Sequence, residues 1–384
     1  MHLGPDRVAR LQILRTDLEQ AAVWLSRPVR LMEVCGTHSH VIGRWGLRQV
    51  LPEGVELTSG PGCPVCVTTG GQVEMALELA RCGIIMVTFG DMMRVPGPSG
   101  SLAQARAAGC DVRAVYSPAQ ALDIALAEPA REVVFLAVGF ETTAPSVASV
   151  VKQTAEAGLR NVSFLSLHKL IPPALEALMD NRDSRIDGLL SPGHVSVVIG
   201  TEAYRGLAET HGVPCVVAGF EPEDILRAVT MLLGLVATRR VDVLNAYPRA
   251  VTPGGNRTAQ ALMAEVFEAR AADWRGLGKI DGSGLALRER YAGLDAAVRF
   301  GLVETAVADP PGCRCGDVLR GLLRPQECCL FAQACTPEAP VGPCMVSSEG
   351  ACAAAYRYER LEVGGTDLDL EASLAAASLG RRSR

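Results

Sequence analysis

Short apolar runs rich in β-branched residues alternate with longer amphipathic stretches from residue 29 onward. The runs are predicted strands at residues 29–34, 55–59, 84–88, 112–116, 133–138, 162–167, 188–190, 195–199 and 214–218. The stretches are predicted helices at residues 40–50, 71–81, 99–108, 118–127, 145–157, 172–179 and 222–238. Strands that are apolar throughout and separated by helices are typical of parallel sheets covered on both faces. The pattern therefore predicts an α/β fold.

The pattern changes on either side of this region. Apolar residues at helical spacing predict an amphipathic helix over residues 6–26. A Gly- and Pro-rich connection at 247–256 precedes a predicted helix at 258–272. Residues 309–352 show little periodicity, and a segment that cannot build its own core is often organised by a metal. We therefore divide the chain into an N-terminal helix, two α/β domains and a C-terminal domain, at residues 1–30, 31–120, 121–247 and 248–384.

Composition and charge limit the possible partners. Of the 384 residues, 48% are apolar and 21% are charged, which is typical of a globular protein with a sizeable core. The net charge of −5 and the lack of a basic block argue against a nucleic-acid partner. The longest apolar stretches are too short to span a bilayer, and residues 1–30 do not resemble a signal peptide. We expect a soluble cytoplasmic protein without a membrane partner.

Cysteine is the residue type whose use is unusual. The chain has 13 cysteines, and in a reducing compartment metal or redox chemistry is a better explanation for them than a disulfide framework. Cys82, Cys110 and Cys215 are isolated in apolar surroundings and are predicted to be small buried hydrophobic residues.

The largest group of cysteines lies in the aperiodic C-terminal segment. Its members are Cys313, Cys315, Cys328, Cys329, Cys335, Cys344 and Cys352. No histidine follows His211, so a metal site here has only thiolate ligands, which suit zinc as well as iron–sulfur. The spacing lacks the two C-x2–4-C pairs usual for zinc, and seven thiols exceed the four that a [4Fe–4S] cluster needs. The spacing favours a cluster over zinc, with thiols left over for a dithiol beside it.

Two further thiol motifs follow the first two predicted strands. Cys35 lies where a strand ends and a helix begins, a position that lowers a thiol pKa through the helix N–H groups, and His38 is close by in sequence. The alternative interpretation of Cys35 is a buried structural cysteine. Cys63 and Cys66 form a C-x-x-C turn that is similar to a thioredoxin-type redox dithiol. None of the Gly-rich turns fits a nucleotide-binding motif.

Polar residues follow two later predicted strands as well. They are His168-Lys169 and Ser191-Pro192-Gly193-His194. Ligands bind at the carboxyl ends of strands in open α/β sheets, so these residues are candidate cleft residues. Either histidine could equally be structural.

Several long motifs together resemble one family. They are Cys35-Gly36-Thr37-His38, Gly60-Pro61-Gly62-Cys63-Pro64-Val65-Cys66, Gly139-Phe140-Glu141-Thr142-Thr143-Ala144-Pro145, Ser191-Pro192-Gly193-His194-Val195-Ser196 and Gly342-Pro343-Cys344-Met345-Val346-Ser347-Ser348-Glu349-Gly350-Ala351-Cys352. These motifs closely resemble the HypD family of [NiFe]-hydrogenase maturation proteins, from about residue 30 to about residue 360.

The resemblance implies both an architecture and a role. It implies two Rossmann-like α/β domains followed by a [4Fe–4S] domain of mainly helix and loop, with a disulfide beside the cluster as in ferredoxin–thioredoxin reductase. It also implies a scaffold, shared with the chaperone HypC, on which the transient Fe(CN)2CO iron unit is assembled. Cyanide would arrive from HypE as a thiocyanate. Such a protein is an assembly scaffold rather than a conventional turnover enzyme.

The resemblance also implies roles for individual residues. Cys35 is the expected ligand of the iron being assembled, His38 tunes that site, and Cys63 with Cys66 passes electrons. The expected cluster ligands are Cys313, Cys328, Cys335 and Cys352, with Cys315 and Cys344 as the adjacent redox pair. Two alternatives are an exchange of Cys344 with Cys352 and the use of Cys329 in place of Cys328.

Two other functions remain open from the residues alone. One is a free-standing, cluster-dependent protein-disulfide oxidoreductase. The other is a structural zinc protein whose α/β part binds a small ligand.

Overall fold

Strands and helices alternate along most of the chain. The computed structural model of the protein describes residues 5–181 and 185–359. The strands are β1 (Val29–Glu33), β2 (Val55–Ser59), β3 (Ile85–Phe89), β4 (Val112–Val115), β5 (Val133–Ala137), β6 (Val162–Ser166), β7 (Gly188–Pro192), β8 (Cys215–Ala218), β9 (Val243–Asn245), β10 (Phe267–Trp274) and β11 (Gly278–Leu287).

The helices vary from long amphipathic segments to single turns. They are α1 (Pro5–Val23), α2 (Gly36–Arg44), α3 (Gly70–Arg81), α4 (Leu102–Ala107), α5 (Gln120–Ala127), α6 (Ala144–Glu156), α7 (Ile171–Asp180), α8 (Gly193–Ile199), α9 (Arg205–His211), α10 (Pro222–Ala237), α11 (Arg257–Val266), α12 (Ala296–Phe300), α13 (Cys315–Leu319) and α14 (Ala351–Tyr358). Short 3-10 helices lie at Leu47–Val50, Gly90–Arg94, Glu202–Tyr204, Glu289–Leu294, Pro325–Glu327 and Pro343–Met345.

Two parallel sheets form the α/β part of the molecule. The first has the strand order β2-β1-β7-β8-β9, and the second has the order β4-β3-β5-β6. This confirms the predicted α/β fold with parallel sheets, as in Rossmann-like proteins. The direction in which the chain adds strands reverses beside β1 in the first sheet and beside β3 in the second. Open α/β sheets bind ligands at the carboxyl ends of the strands at such a reversal.

The strands of the two sheets are interleaved along the chain. The first sheet takes β1 and β2 and then, after a long excursion, β7 to β9, whereas the second takes the four strands between them. The sheets therefore do not follow the division at residue 120 that the sequence suggested. Strand neighbours in a parallel sheet are distant in sequence, so local hydrophobic pattern carries no information about which strands pair.

Both faces of each sheet are buried, which explains the continuous apolar runs. In β3, Ile85 and Val87 pack into a core on one face, and Met86 packs into another core on the opposite face. A third core packs α1 and α10 on the first sheet, and Leu11 and Leu18 of α1 are buried there as the helical spacing predicts. The core that contains Met86 also includes cysteines of the C-terminal segment.

Some predicted elements are wrong. Residues 195–199, predicted as a strand, belong to helix α8, where the Ser196 hydroxyl donates to the Pro192 carbonyl four residues earlier. A short β-branched run fits either a buried strand or a buried helix. The predicted helix at 258–272 ends at Val266, and the chain continues into the antiparallel hairpin β10–β11, which the hydrophobic pattern did not reveal.

The three isolated cysteines differ in how far they are buried. Cys215 is buried as predicted and Cys110 is half-buried, but the prediction for Cys82 is wrong, because it is exposed at the C-terminal end of α3.

Within residues 5–181 and 185–359, no helix combines the length and the apolar character needed to cross a bilayer.

Candidate functional site

Cys35 lies at the chain reversal of the first sheet. Strand β1 ends at Glu33, and Cys35 is the N-terminal cap of α2 with an extended backbone, as the sequence predicted. The backbone N–H of Cys35 donates to Glu33 Oε2 at 2.9 Å. The next N–H, of Gly36, donates to the carbonyl of Gly62 at 3.0 Å, which ties this turn to the loop after β2. The sequence thus places a thiol at the position where such sheets bind ligands.

The protonation of Cys35 differs from the prediction. Burial raises the pKa of the thiol to about 12, and the carboxylates of Glu33 and Glu349 add to this effect. The backbone N–H groups of Thr37 and His38 act in the opposite direction, as expected at a helix N-terminus, but they do not compensate for the loss of solvent. The lowered pKa that the sequence suggested is therefore wrong. Without a metal the sulfur is a thiol, and a coordinated metal would deprotonate it.

His38 is fully buried beside this turn. Its Nε2 donates to the Gly219 carbonyl at 3.0 Å, since a carbonyl can only accept, and this leaves Nδ1 as an acceptor without a hydrogen-bond partner among the described residues. Burial lowers the pKa of His38 to about 4, so the ring is neutral at physiological pH. The ring centroid lies 5.2 Å from that of Phe220, on which His194 also stacks.

The C-x-x-C dithiol packs directly on the Cys35 turn. A Cβ atom added to Gly62 would lie 2.2 Å from the backbone nitrogen of Cys35, so only glycine permits the two loops to approach this closely. The backbone N–H of Cys66 donates to the Cys63 carbonyl at 3.1 Å and contacts its sulfur at 3.4 Å. Both side chains are buried. The structure therefore joins Cys35, Cys63 and Cys66 in one region.

Five of the seven C-terminal cysteines line a single cavity. They are Cys313, Cys315, Cys328, Cys335 and Cys352. The described lining does not include Cys329, which is exposed, or Cys344, which is fully buried. The loop at Gly342 closes over the first two thiols, because a Cβ there would lie 2.6 Å from both the Cys313 and Cys315 sulfurs.

The chemistry of this cavity suits an iron–sulfur cluster. A [4Fe–4S] cluster takes four thiolates, and the five thiols around the cavity provide them with one left over. The backbone N–H of Val341 donates to the Cys335 sulfur at 3.3 Å, the kind of hydrogen bond that tunes cluster thiolates. Over the described ranges 5–181 and 185–359, no three His, Cys, Asp or Glu side chains are grouped closely enough to bind a single ion. The five thiols therefore share the lining of one cavity without forming a single-ion site.

Cys344 connects the two thiol regions. It lies in the same buried core as Cys315, Cys352 and Cys66 of the dithiol loop, and these three thiols are the neighbours that act on its ionisation. These three thiols lower the pKa of Cys344, whereas burial raises the pKa of Cys66. Nothing in the spacing of the motifs indicates this contact, which joins residues 278 positions apart.

Glu349 is a site residue that was not among the candidate site residues predicted from the sequence. Its Oε1 accepts a hydrogen bond from Thr37 Oγ1 at 2.8 Å. A Cβ at Gly36 would lie 2.4 Å from the Glu349 carbonyl oxygen, so the start of α2 packs directly on this segment. The signal was present, since Glu349 belongs to the long motif that contains Cys344 and Cys352.

The two groups of candidate cleft residues have different positions. His194 is exposed and stacks on Phe220 with ring centroids 3.8 Å apart, near His38. His168 and Lys169 are buried instead. Burial lowers the pKa of Lys169 to about 8, and its Nζ donates to the Asp273 carbonyl at 2.7 Å. Lys169 therefore supports the hairpin β10–β11 and does not face a cleft.

Comparison with known proteins agrees with these features. The family model described as HypD, hydrogenase formation hypA family, matches residues 10–359. The hydrogenase maturation factor HypD of Rhodobacter capsulatus is 47% identical over 346 residues, covering 88% of this chain and 92% of that protein. The factors of the same name from Rhizobium leguminosarum bv. viciae and Escherichia coli K12 are 46% and 45% identical, each covering 94% of this chain and 97% of the relative. The chain belongs to the HypD family of hydrogenase maturation factors.

Proposed function

We propose that the protein is the scaffold on which the Fe(CN)2CO unit of [NiFe]-hydrogenase is assembled, together with a HypC chaperone and with cyanide supplied by HypE. The contact between Cys66 and Cys344 carries this proposal. This contact joins the dithiol, beside the carboxyl ends of the first sheet, to the thiol-lined cavity that suits a cluster. Assembly of a cyanide-bearing iron needs both metal binding and electrons.

Cys35 is the proposed ligand of the iron, which is the substrate here. A buried thiolate suits soft Fe(II), and burial excludes water from the ion. The free Nδ1 lone pair of the neutral His38 ring is available to accept a hydrogen bond beside the Cys35 turn. Glu349 lies on the other side of the turn, where its carboxylate holds Thr37.

Cys63 and Cys66 are the proposed two-electron donor for cyanide release. Their sulfurs form a disulfide while the sulfur–carbon bond of the partner's thiocyanate breaks. One thiol proton goes to the partner's cysteine sulfur and the other leaves with cyanide, so that two thiols and a thiocyanate give a disulfide, a thiol and hydrogen cyanide. Cyanide then binds the iron held at Cys35.

Cys344 is the proposed reductant of that disulfide. Its thiolate attacks Cys66, which breaks the Cys63–Cys66 bond, forms the mixed disulfide Cys66–Cys344 and releases Cys63 as a thiolate. Attack by Cys315 on Cys344 then frees Cys66 and leaves the disulfide Cys315–Cys344. Cys313, Cys328, Cys335 and Cys352 are the proposed ligands of the [4Fe–4S] cluster, which supplies electrons one at a time from an external low-potential donor.

Infrared spectroscopy of the protein co-purified anaerobically with its HypC partner tests this function. The parent protein should show CN and CO stretching bands, and Cys344→Ser should lose the CN bands while it keeps the visible absorbance of the cluster. Cys82→Ser, which changes an exposed thiol outside both sites, is the matched control and should keep all bands. An intact complex that supports maturation but has no CN or CO bands would rule out the scaffold. Reduction of protein disulfides without any partner would favour the oxidoreductase instead.

A further inference from the structure

The tip of the hairpin β10–β11 lies against the dithiol loop. The backbone N–H of Arg275 donates to the Val67 carbonyl at 3.0 Å, and its Nε donates to the Thr68 carbonyl at 3.0 Å. These two carbonyls immediately follow Cys66 in the chain. The Arg275 side chain is only 2% exposed, so its bonds are made inside the protein.

The other side of the same tip touches the C-x-C segment. The Arg275 guanidinium forms an ion pair with Asp309, four residues before Cys313. A Cβ at Gly276 would lie 2.5 Å from the Cα of Gly316, the residue after Cys315. The positive φ of Gly276, +79°, is a second reason for glycine at this point. The tip therefore contacts the backbones that bear both groups of thiols.

Buried side chains hold the base of the tip in place. The Asp273 carbonyl accepts from Lys169 Nζ at 2.7 Å and from Gln72 Nε2 at 3.2 Å. The Trp274 indole donates to Ser283 Oγ at 2.8 Å across the hairpin, and Lys169 lies 5.5 Å above its ring. Gln72 belongs to the capping box of α3, the helix that follows the dithiol. The tip is thus anchored to the helix whose loop it contacts.

We infer that the hairpin tip sets the distance between the sulfurs of Cys66 and Cys344, with Arg275 as the positioning residue. This inference rests on the proposed function, in which electrons pass between the two thiol regions through Cys66 and Cys344. The guanidinium holds the Thr68 carbonyl and the Asp309 carboxylate at once because its donors form a rigid planar fork, while the backbone N–H of Arg275 holds the Val67 carbonyl. Its burial is tolerated only while these partners stay in place, so the tip resists separation of the two regions.

Disulfide trapping measures this distance directly. In the full-length Cys63→Ser/Cys315→Ser protein, a brief pulse of diamide removes two electrons and two protons and forms the disulfide Cys66–Cys344. Its rate is followed by mass spectrometry of the linked peptides. Arg275→Gln should slow this rate by at least about tenfold, since displacements near 1 Å have effects of that order or larger on reactions between positioned groups.

Further variants in the same background keep the result interpretable. Arg275→Lys keeps the charge opposite Asp309 but loses the bond to Thr68, and it should fall between the parent and Arg275→Gln. Asp309→Asn changes a more exposed partner, 36% exposed, and should slow trapping even if Arg275→Gln fails to fold. Arg240→Gln, which removes a surface ion pair with Asp242, is the matched control and should leave the rate unchanged.

An unchanged trapping rate in folded Asp309→Asn or Arg275→Gln protein would overturn the inference. The maturation assay separates this result from the proposed function. Slower trapping combined with normal hydrogenase maturation would support the positioning role of Arg275 and would remove the proposed electron route through Cys344.

Discussion

The two thiol regions differ in what holds their cysteines. Cys35, Cys63 and Cys66 follow strands of a parallel sheet, and hydrogen bonds between the loops fix them, including Gly36 N–H to the Gly62 carbonyl and Gly60 N–H to the Glu33 carbonyl. The C-terminal thiols lie in turns and short helices, of which α13 has five residues. The sheet and its loops therefore fix the positions of the first group of thiols. The second group lies in a segment with little regular structure, and most of its thiols line one cavity.

This difference indicates different dependence on metal. A site on strand ends keeps its shape without a ligand, because the sheet determines it. A segment built of turns and short helices around a cavity draws stability from the ion or cluster that it encloses. We therefore expect metal loss to loosen the C-terminal segment and to leave both parallel sheets intact.

The largest expected effect comes from one cysteine substitution in each region. Cys35→Ala should abolish hydrogenase maturation and leave the cluster absorbance unchanged, because Cys35 does not line the thiol-lined cavity. Cys335→Ser should abolish both, because it removes a proposed cluster ligand. Hydrogen exchange followed by mass spectrometry should show faster exchange over residues 309–352 in Cys335→Ser alone.

Iron content gives the control for this pair. Loss of cluster iron from Cys35→Ala would contradict the separation of the two sites. Equal exchange rates in Cys335→Ser and the parent would show that the C-terminal segment does not need its ligand. Zinc without iron in the parent would exclude the cluster.

A buried carboxyl group makes the α/β part sensitive to pH. Burial raises the pKa of Glu141 from 4.5 to about 7, and its Oε2 has no hydrogen-bond partner among the described residues. The folded protein then holds a proton that the unfolded chain releases, so this group's contribution to stability falls as pH rises from 4.5 to about 7. In Glu141→Gln, the free energy of unfolding relative to the parent should rise by up to about 3 kcal/mol between about pH 4.5 and about pH 8.

Urea unfolding at several pH values measures this difference. The amide keeps the acceptor for the Ile171 N–H, which donates to Glu141 Oε1 at 2.9 Å, so the substitution is close to isosteric. Parallel stability curves for the two proteins across this pH range would show that Glu141 is ionised without penalty.

A smaller effect is expected from adding one methyl group between the loops of the first region. Gly62→Ala should lower the free energy of unfolding by about 2 kcal/mol, because its Cβ would meet the backbone of Cys35, which is fixed between β1 and α2. Gly234→Ala in α10, where a Cβ meets nothing within 4 Å, is the control and should raise stability by about 0.5–1 kcal/mol. Thermal unfolding followed by circular dichroism would compare them, and a neutral Gly62→Ala would show that the loop contact is adaptable.

Strands that are buried on both faces were the easiest elements to predict. β3, β5 and β6 coincide with apolar, β-branched runs, since nearly every residue of these strands is buried against a core on one face or the other. The run at 195–199 has the same composition but forms a helix, because its length fits either structure. The hairpin β10–β11 was missed because its first strand exposes Glu268 and Arg270 and lacks a regular alternation.

The thiol chemistry was predictable in part. The position of Cys35 at a strand-to-helix junction and the closeness of Cys63 to Cys66 depend on neighbours in sequence, so the motifs contained them. The raised pKa of Cys35 depends on how much solvent the rest of the fold removes, and no local motif records that. Which C-terminal thiols face the cavity is likewise a result of chain packing, and it separates Cys328 from the exposed Cys329.

The sequence by itself determined the residue chemistry, the alternation of strands and helices, and the family to which the motifs belong. Only the tertiary structure decided how the strands divide between two sheets, and that Cys344 meets Cys66 between two groups of thiols. The physical reason is the range of the interactions. Helix and strand formation follows from hydrophobic period over a few residues, whereas parallel pairing and the meeting of distant thiols depend on contacts across hundreds of positions, which the local pattern does not specify.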